Sequence, residues 1–357
     1  MISEYLIFII LVNKCFTEAL RDPANEDTLS RTHAPDDCAF NWDDTQVSGK
    51  KKWSPYELQP TPSAFPILGE QDSDVDEFKS EKDKLEFRID VKAGLGVDVY
   101  ILDTGIKISH EEFGGRARLG KNFVKSEPHD DLNGHGTHVA GIIGSFSYGV
   151  AKQATLISVK CMNKNKQGER EDIVSAIEWA LASSRQQSRP SIIHLSAIVS
   201  PDEKIDSAVE AAAQLGVPVI VAGANDFPDA CNFSPARSKH ALTVSGIDSK
   251  DQRPENIAQG QCVDLFAPGM HILSTYIDPN VTLAYMSGTS MAAPYVTGIA
   301  ASVLSRGFDM GYCMLPHFDS SRKSGPCTSR LYDYLKQSSD HVAGLRIARI
   351  PKDLIEE

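Results

Sequence analysis

Three residues far apart in the chain have side chains that together can move a proton and form a bond to a carbonyl carbon. They are Asp103 in Asp103-Thr104-Gly105, His135 in Asn133-Gly134-His135-Gly136-Thr137-His138, and Ser290 in Ser287-Gly288-Thr289-Ser290-Met291-Ala292-Ala293-Pro294. A serine hydroxyl attacks a carbonyl only when a neighbouring base takes its proton. An imidazole serving as that base needs a carboxylate to set its tautomer and steady its charged form. The order acid, histidine, serine separates this set from the α/β hydrolases, in which the serine comes first. Each residue also has a plainer reading. An Asp after a strand commonly closes a turn, and a serine after a glycine commonly caps a helix. His135 and His138, at i and i+3, share a helix face, so zinc competes as a reading. The zinc-protease pattern H-E-x-x-H requires a glutamate after the first histidine and a second histidine four residues on. Gly136 follows His135 and the spacing is three, which disfavours zinc. His135 is the expected base, and His138, followed by apolar residues, is the expected core histidine.

These side chains need elements to hold them. Met291, Val296, Ile299 and Leu304 belong to a run of small and apolar residues, which as a helix is buried all round. Pro294 is expected in its first turn, where a missing N–H costs little. Ser290 then stands at a helix N-terminus, where unpaired N–H groups and the helix dipole favour negative charge. Val97 to Leu102 reads as a strand that delivers Asp103. Ala154 to Lys160, Ser191 to Ser196 and Val217 to Ala222 read as further strands. Between them, Glu171 to Ser183 and Lys204 to Leu215 carry apolar residues at helical spacing. Ala241 to Ile247, Val263 to Phe266 and His271 to Thr275 add strands before the Ser290 helix. Strand and helix in alternation predict an α/β fold with a parallel sheet covered on both faces. In such sheets functional groups gather at the carboxyl ends of the strands.

The chain has 357 residues, 41% of them hydrophobic, enough for one large domain with an N-terminal appendage. A net charge of −12 without a basic stripe excludes a nucleic-acid partner. Tyr5 to Val12 is an apolar run too short to span a membrane and placed like a signal-peptide core, although Glu4 stands where a positive charge is usual. The expected organisation is a signal peptide over 1–19, a polar and partly disordered pro-region or linker over 20–92, and one α/β domain over 93–357. A secreted monomer, with no membrane insertion once the signal is removed, follows as the expectation. A cut near Ala19 leaves six of the seven cysteines, an even count that suits disulfides, with 15 pairings open. Asn280-Val281-Thr282 and Asn232-Phe233-Ser234 are glycosylation sequons, the second disfavoured by Pro235.

The blocks around Asp103, His135 and Ser290 resemble the three active-site blocks of the subtilisin-like serine proteases. Tyr148-Gly149-Val150-Ala151 and Asn232-Phe233-Ser234-Pro235-Ala236 are most similar to the proteinase K branch. The resemblance covers residues from about Gly94 to the C-terminus. It implies a three-layer fold with a mostly parallel central sheet flanked by helices. It also implies a serine endopeptidase that cleaves protein or peptide substrates through an acyl-enzyme and needs no cofactor for catalysis. In Ala222-Gly223-Ala224-Asn225 it implies Asn225 as oxyanion donor beside the Ser290 N–H, with Ala224 where relatives have glycine. The implied substrate-binding residues are Gly168, Ser196, Ala197, Ile198, Val199, Ala222, Gly223 and Ala224, with Lys166 to Arg170 forming a strand opposite Ser196 to Ser200. Asp264 with the carbonyls of Lys239 and Ala241 is the implied structural calcium site; a salt link or cap is the alternative for Asp264. Ile198 and Val199 replace glycines in the wall beside the serine, which either narrows the cleft or blocks it. Asn256 to Gln259 departs from the family pattern, and 20–92 lacks a recognisable inhibitor-like pro-domain. The competing reading is a catalytically impaired homologue that acts as a binding protein. The presence of all four of Asp103, His135, Ser290 and Asn225 weighs against it.

Overall fold

The computed structural model describes residues 92–187, 189–307, 328–351 and 354. The expected signal peptide, nearly all of the expected pro-region, and Cys15, Cys38, Cys313 and Cys327 lie outside the described residues.

The first strand, β1 (Asp98–Asp103), is buried at every position, as a strand covered on both faces must be. Its side chains alternate. Val99 and Ile101 enter one core, and Tyr100 and Leu102 enter another. β2 (Ala117–Asn122), β3 (Thr155–Lys160), β4 (Ser191–Leu195), β5 (Val219–Ala222), β6 (Leu242–Ile247) and β7 (Leu265–Pro268) continue the sheet. So do two short C-terminal strands, β10 (Asp340–Val342) and β11 (Leu345–Ile347). Among the described residues nine strands pair in the order β10-β11-β7-β6-β5-β4-β1-β3-β2, parallel except for β10 against β11.

Helices cover both faces. α1 (His135–Gly144), α4 (Thr289–Ser305) and α5 (Ser329–Gln337) pack on the Val99 and Ile101 side. α2 (Arg170–Gln186) and α3 (Glu203–Gln214) pack on the Tyr100 and Leu102 side through Ile173, Ile177, Ile205 and Val209. Asp202 caps α3 by accepting from the N–H groups of Lys204 and Ile205. The result is the expected three-layer α/β fold with a mostly parallel sheet. From β1 the chain builds β2 and β3 on one side, then returns to build β4 to β7 on the other. The carboxyl end of β1, occupied by Asp103, is therefore the topological switch point, where open α/β sheets place their sites.

The segment expected as a strand at His271 to Thr275 leaves the main sheet. It forms β8 (Ile272–Thr275), paired antiparallel with β9 (Leu283–Met286) in a separate hairpin. Cys231 and Cys262 form a disulfide. Cys161 is free and buried at the end of β3, so the six cysteines do not close into three pairs. No helix among the described residues is long and apolar enough to cross a membrane.

Candidate active site

β1 carries Asp103 into the interior with no exposed surface. Its Oδ1 lies 2.8 Å from Nδ1 of His135, the first residue of α1. The same oxygen accepts the Thr104 N–H at 2.7 Å. A buried carboxylate facing Nδ1 leaves Nε2 of His135 as the nitrogen able to take a proton. Gly136 makes the close approach possible, because a Cβ there would run into the Gly105 carbonyl. Gly134, at φ +104°, sits under the Tyr276 ring and has no room for a side chain.

Because Gly134 cannot cap α1, the cap comes from Asp131. Its Oδ1 accepts the N–H groups of Asn133 (3.0 Å) and Gly134 (2.9 Å), and its Oδ2 accepts both the N–H (2.9 Å) and the hydroxyl (2.6 Å) of Thr137. The Thr104 hydroxyl also donates to Asp131 and accepts from the Gly136 N–H at 3.0 Å. Behind this turn the fully buried Lys160 donates to the Thr104 carbonyl at 2.6 Å and pairs with Glu127 at 3.0 Å. Asp131, Thr104 and Lys160 were not expected at the site. The one sequence signal among them is Asp131, an acidic residue just ahead of the glycine that precedes α1. His138 is the core histidine expected, with Nε2 3.0 Å from the carbonyls of both Ile272 and Ala284.

Ser290 is the second residue of α4, which is buried along nearly its whole length. Its N–H is among the first four of the helix, which have no intrahelical acceptor. The Ser290 hydroxyl faces the Ser196 carbonyl at 3.4 Å and makes no hydrogen bond to His135 among the described residues. Asn225 follows β5, and its Oδ1 accepts the Thr289 N–H at 2.9 Å, leaving its amide nitrogen to donate elsewhere. Pro294 is not in the first turn. The helix begins at Thr289, so Pro294 falls in the second turn, inside the helix.

Two of the expected substrate-binding segments flank Ser290. Ser196 to Val199 continue from β4, and Val199 exchanges N–H···O bonds with Ser234 at 2.8 and 3.0 Å. Ala222 to Ala224 continue from β5, with the Ala224 carbonyl accepting the Ala258 N–H at 3.0 Å. Ile198 packs on an apolar cluster of Ala224, Ala230, Ala236 and Ala258, beside Phe233. Ala197 and Val199 turn to the other side of the sheet, against the core under α2 and α3. Lys166 to Arg170 form no strand. Asn163 and Gln167 close a turn (2.8 Å), Lys166 adopts φ +59°, and α2 already begins at Arg170. Gly168 lies against the Cys161 carbonyl, and a Cβ there would strike it.

The residues at Asp264 do not fit calcium. One carboxylate oxygen accepts the Thr243 N–H at 3.0 Å, and the other is 3.4 Å from the Lys336 ammonium. The Lys336 ammonium is the cation beside this carboxylate, so Asp264 takes part in a salt link, the alternative reading. Burial holds its carboxyl above the usual range despite both partners. Lys239 and Ala241 lie in the turn that enters β6, where the Ala241 N–H bonds the Ser238 carbonyl.

Comparison with known proteins bears on this geometry. The model of the Subtilase family matches residues 94–316. The subtilisin-like serine protease Rho m 2.0101 of Rhodotorula mucilaginosa is 40% identical over 225 residues, 62% of this chain and 66% of that protein. Subtilisin-like protease 1 of Pseudogymnoascus destructans is 41% identical over 218 residues, 61% of this chain and 54% of that protein. The chain thus spans between about half and two thirds of the length of these curated relatives. The crystal structure of a cold adapted subtilisin-like serine proteinase superposes with a TM-score of 0.62 at 35% identity, covering 72% of this chain and 89% of that one. With the family match spanning β1 to α4 and this fold around it, the chain belongs to the subtilase family.

Proposed function

We propose that the protein is a secreted serine endopeptidase. Ser290 attacks the scissile carbonyl while His135 Nε2 takes its proton. The histidine then gives that proton to the leaving amine, and water releases the acyl group by the reverse route. Asp103 fixes the tautomer of His135 and steadies the imidazolium. The amide nitrogen of Asn225 and the N–H of Ser290 receive the tetrahedral oxyanion; loss of one such donor costs on the order of 10²- to 10³-fold in turnover. Every group comes from the chain itself, so the mechanism calls for no cofactor. The observation that carries this reading is the 2.8 Å contact of the buried Asp103 with His135 Nδ1, in a fold that sets Ser290 at the start of a buried helix.

The substrate is a protein or peptide chain lying between Ser196–Val199 and Ala222–Ala224. Ile198 packs on Ala224 and its neighbours, in the wall that the family resemblance places beside the residue before the cut, so that residue is small. The related names "subtilisin-like serine protease" support protease chemistry. The Cys231–Cys262 disulfide supports an oxidising compartment. Expression of the full chain in a secreting host is expected to place protein in the medium with a new N-terminus near residue 20; retention in the cytosol overturns the localisation.

A fluorophosphonate probe, which reacts with an activated serine, is the direct test of activity. It is expected to label the purified protein and to leave Ser290→Ala unlabelled. Well-folded protein that takes up no label overturns the reading.

A further inference from the structure

In an α-helix each carbonyl accepts the N–H four residues ahead. For Ser290 that residue is Pro294, which has no N–H. The helix therefore leaves a carbonyl unserved at its own candidate nucleophile. The hydroxyl of Ser196, just beyond β4, stands 3.2 Å from that carbonyl.

Behind Ser196 lies His194, fully buried on the face of β4 that meets α4. Its Nε2 is 2.8 Å from Ser196 Oγ and its Nδ1 is 2.8 Å from Thr297 Oγ1. The Thr297 hydroxyl is also 3.1 Å from the Ala293 carbonyl. A neutral imidazole has one N–H, and each hydroxyl has one proton. With the ring proton on Nδ1, Ser196 must spend its proton on Nε2, and the Ser290 carbonyl receives none. With the proton on Nε2, the ring donates to Ser196, Ser196 donates to the Ser290 carbonyl, and Thr297 donates to Nδ1. The Ala293 carbonyl loses nothing by this, since the Thr297 backbone N–H serves it within α4. A doubly protonated ring also fills these positions, but burial pulls the His194 pKa down to about 3; of the charges acting on it, Asp103 raises the value and His135 lowers it.

We propose that His194, anchored by Thr297, is a positioning residue for Ser290: it directs the Ser196 hydroxyl to supply the hydrogen bond that Pro294 cannot. The carbonyl and the hydroxyl of Ser290 then both face Ser196, through the 3.2 and 3.4 Å contacts. This holds the Ser290–Met291 peptide and, through the Cα of Ser290, fixes the residue whose hydroxyl attacks and whose own N–H meets the oxyanion. The inference rests on Ser290 being the nucleophile.

The test is a double-mutant cycle on the full chain. His194→Ala is expected to lower kcat and the rate of fluorophosphonate labelling about tenfold, with KM nearly unchanged. His194→Gln, which keeps a donor toward Ser196, is expected to recover part of that loss. Pro294→Ala restores a backbone N–H to the Ser290 carbonyl, and in that background His194→Ala is expected to be nearly silent. An equal loss in both backgrounds, or no loss with Pro294 present, overturns the inference. Ser290→Ala keeps the carbonyl and cannot cleave itself, so its 15N-histidine spectrum reads the ring directly. A neutral Nε2–H ring from pH 5 to 8 is expected; an Nδ1–H tautomer, or titration in that range, overturns the inference. Wild-type protein that takes no label sinks the nucleophile reading instead, and the ring spectrum still decides the proton arrangement.

Discussion

Thr104 and Asp131 are joined by a 2.9 Å hydrogen bond across 27 residues of sequence, and through it the turn after β1 and the start of α1 become one unit. Asp103 leaves one side of this unit and His135 the other, so the distance between them is set by backbone rather than by two mobile side chains. Lys160, donating to the Thr104 carbonyl, braces the unit from below.

Asp131→Asn tests that coupling. It keeps Oδ1 but turns an amide NH2 toward Thr137, so the buried Thr137 N–H faces a donor and the hydroxyl must reverse from donating to accepting. Buried donors left without acceptors cost roughly 1–3 kcal/mol each, so a stability loss of about 3 kcal/mol is expected. A fall in kcat should accompany it, because His135 loses its fixed position. Denaturant unfolding and steady-state kinetics on one preparation measure both. A variant as stable and active as the parent removes Asp131 from this role.

The contrast between what the sequence disclosed and what it hid has a physical cause. β1 was legible because Val99, Ile101 and their neighbours leave no polar face. Asp103, His135, Ser290 and Asn225 were legible because each sits in a distinctive short motif. Asp131 was not, since an acidic residue ahead of a helix is ordinary turn chemistry. In the sequence Lys160 is only the last residue of a strand, and only the fold brings Glu127 and the Thr104 carbonyl to its ammonium. Pro294 was misplaced by about a turn because the start of α4 is set by the Gly288 and Asn225 contacts, not by proline preference. β2, β9, α5, β10 and β11 were not anticipated: β10 and β11 have only three residues each, and β2 alternates too weakly to show its buried face.

Ile198 carries the prediction about substrate choice. Its side chain rests on Ala224, Ala230, Ala236 and Ala258, and under the proposed function it narrows the room for the substrate residue before the cut. Ile198→Gly is expected to raise kcat/KM for peptides with Phe before the cut, relative to Ala, by roughly tenfold or more, the scale on which apolar pockets discriminate size. Unchanged relative rates across a peptide series place the limit on side-chain size elsewhere.

Lys336 and Asp264 make a prediction about metal dependence. With an ammonium 3.4 Å from the carboxylate, added calcium or chelator should shift the Tm of wild type and of Asp264→Asn equally. Lys336→Met should destabilise by about 2 kcal/mol, between the costs of breaking exposed and buried pairs. A calcium-dependent gain in Tm that Asp264→Asn abolishes restores the ion to this site.

The two buried histidines make acid stability the most direct global measurement. Burial is the main cause that lowers both His138 and His194 to about 3 from the ordinary 6.5. Nδ1 of His138 has no hydrogen-bond partner among the described residues, so a proton added there finds no acceptor. Above pH 6.5 both rings are neutral folded or unfolded, and they cost nothing. Below it the unfolded chain takes up two protons that the folded chain refuses, so stability falls with falling pH until about pH 3. Each ring contributes a slope of roughly 1.4 kcal/mol per pH unit. Urea unfolding of the Ser290→Ala protein at pH 7, 6 and 5 should show a drop that steepens across this window. His138→Gln keeps a donor for the Ile272 and Ala284 carbonyls while removing the titrating group, and should flatten the slope by about one ring's share. A slope unchanged in His138→Gln means that the ring is already protonated in the folded protein, or that other groups govern acid unfolding.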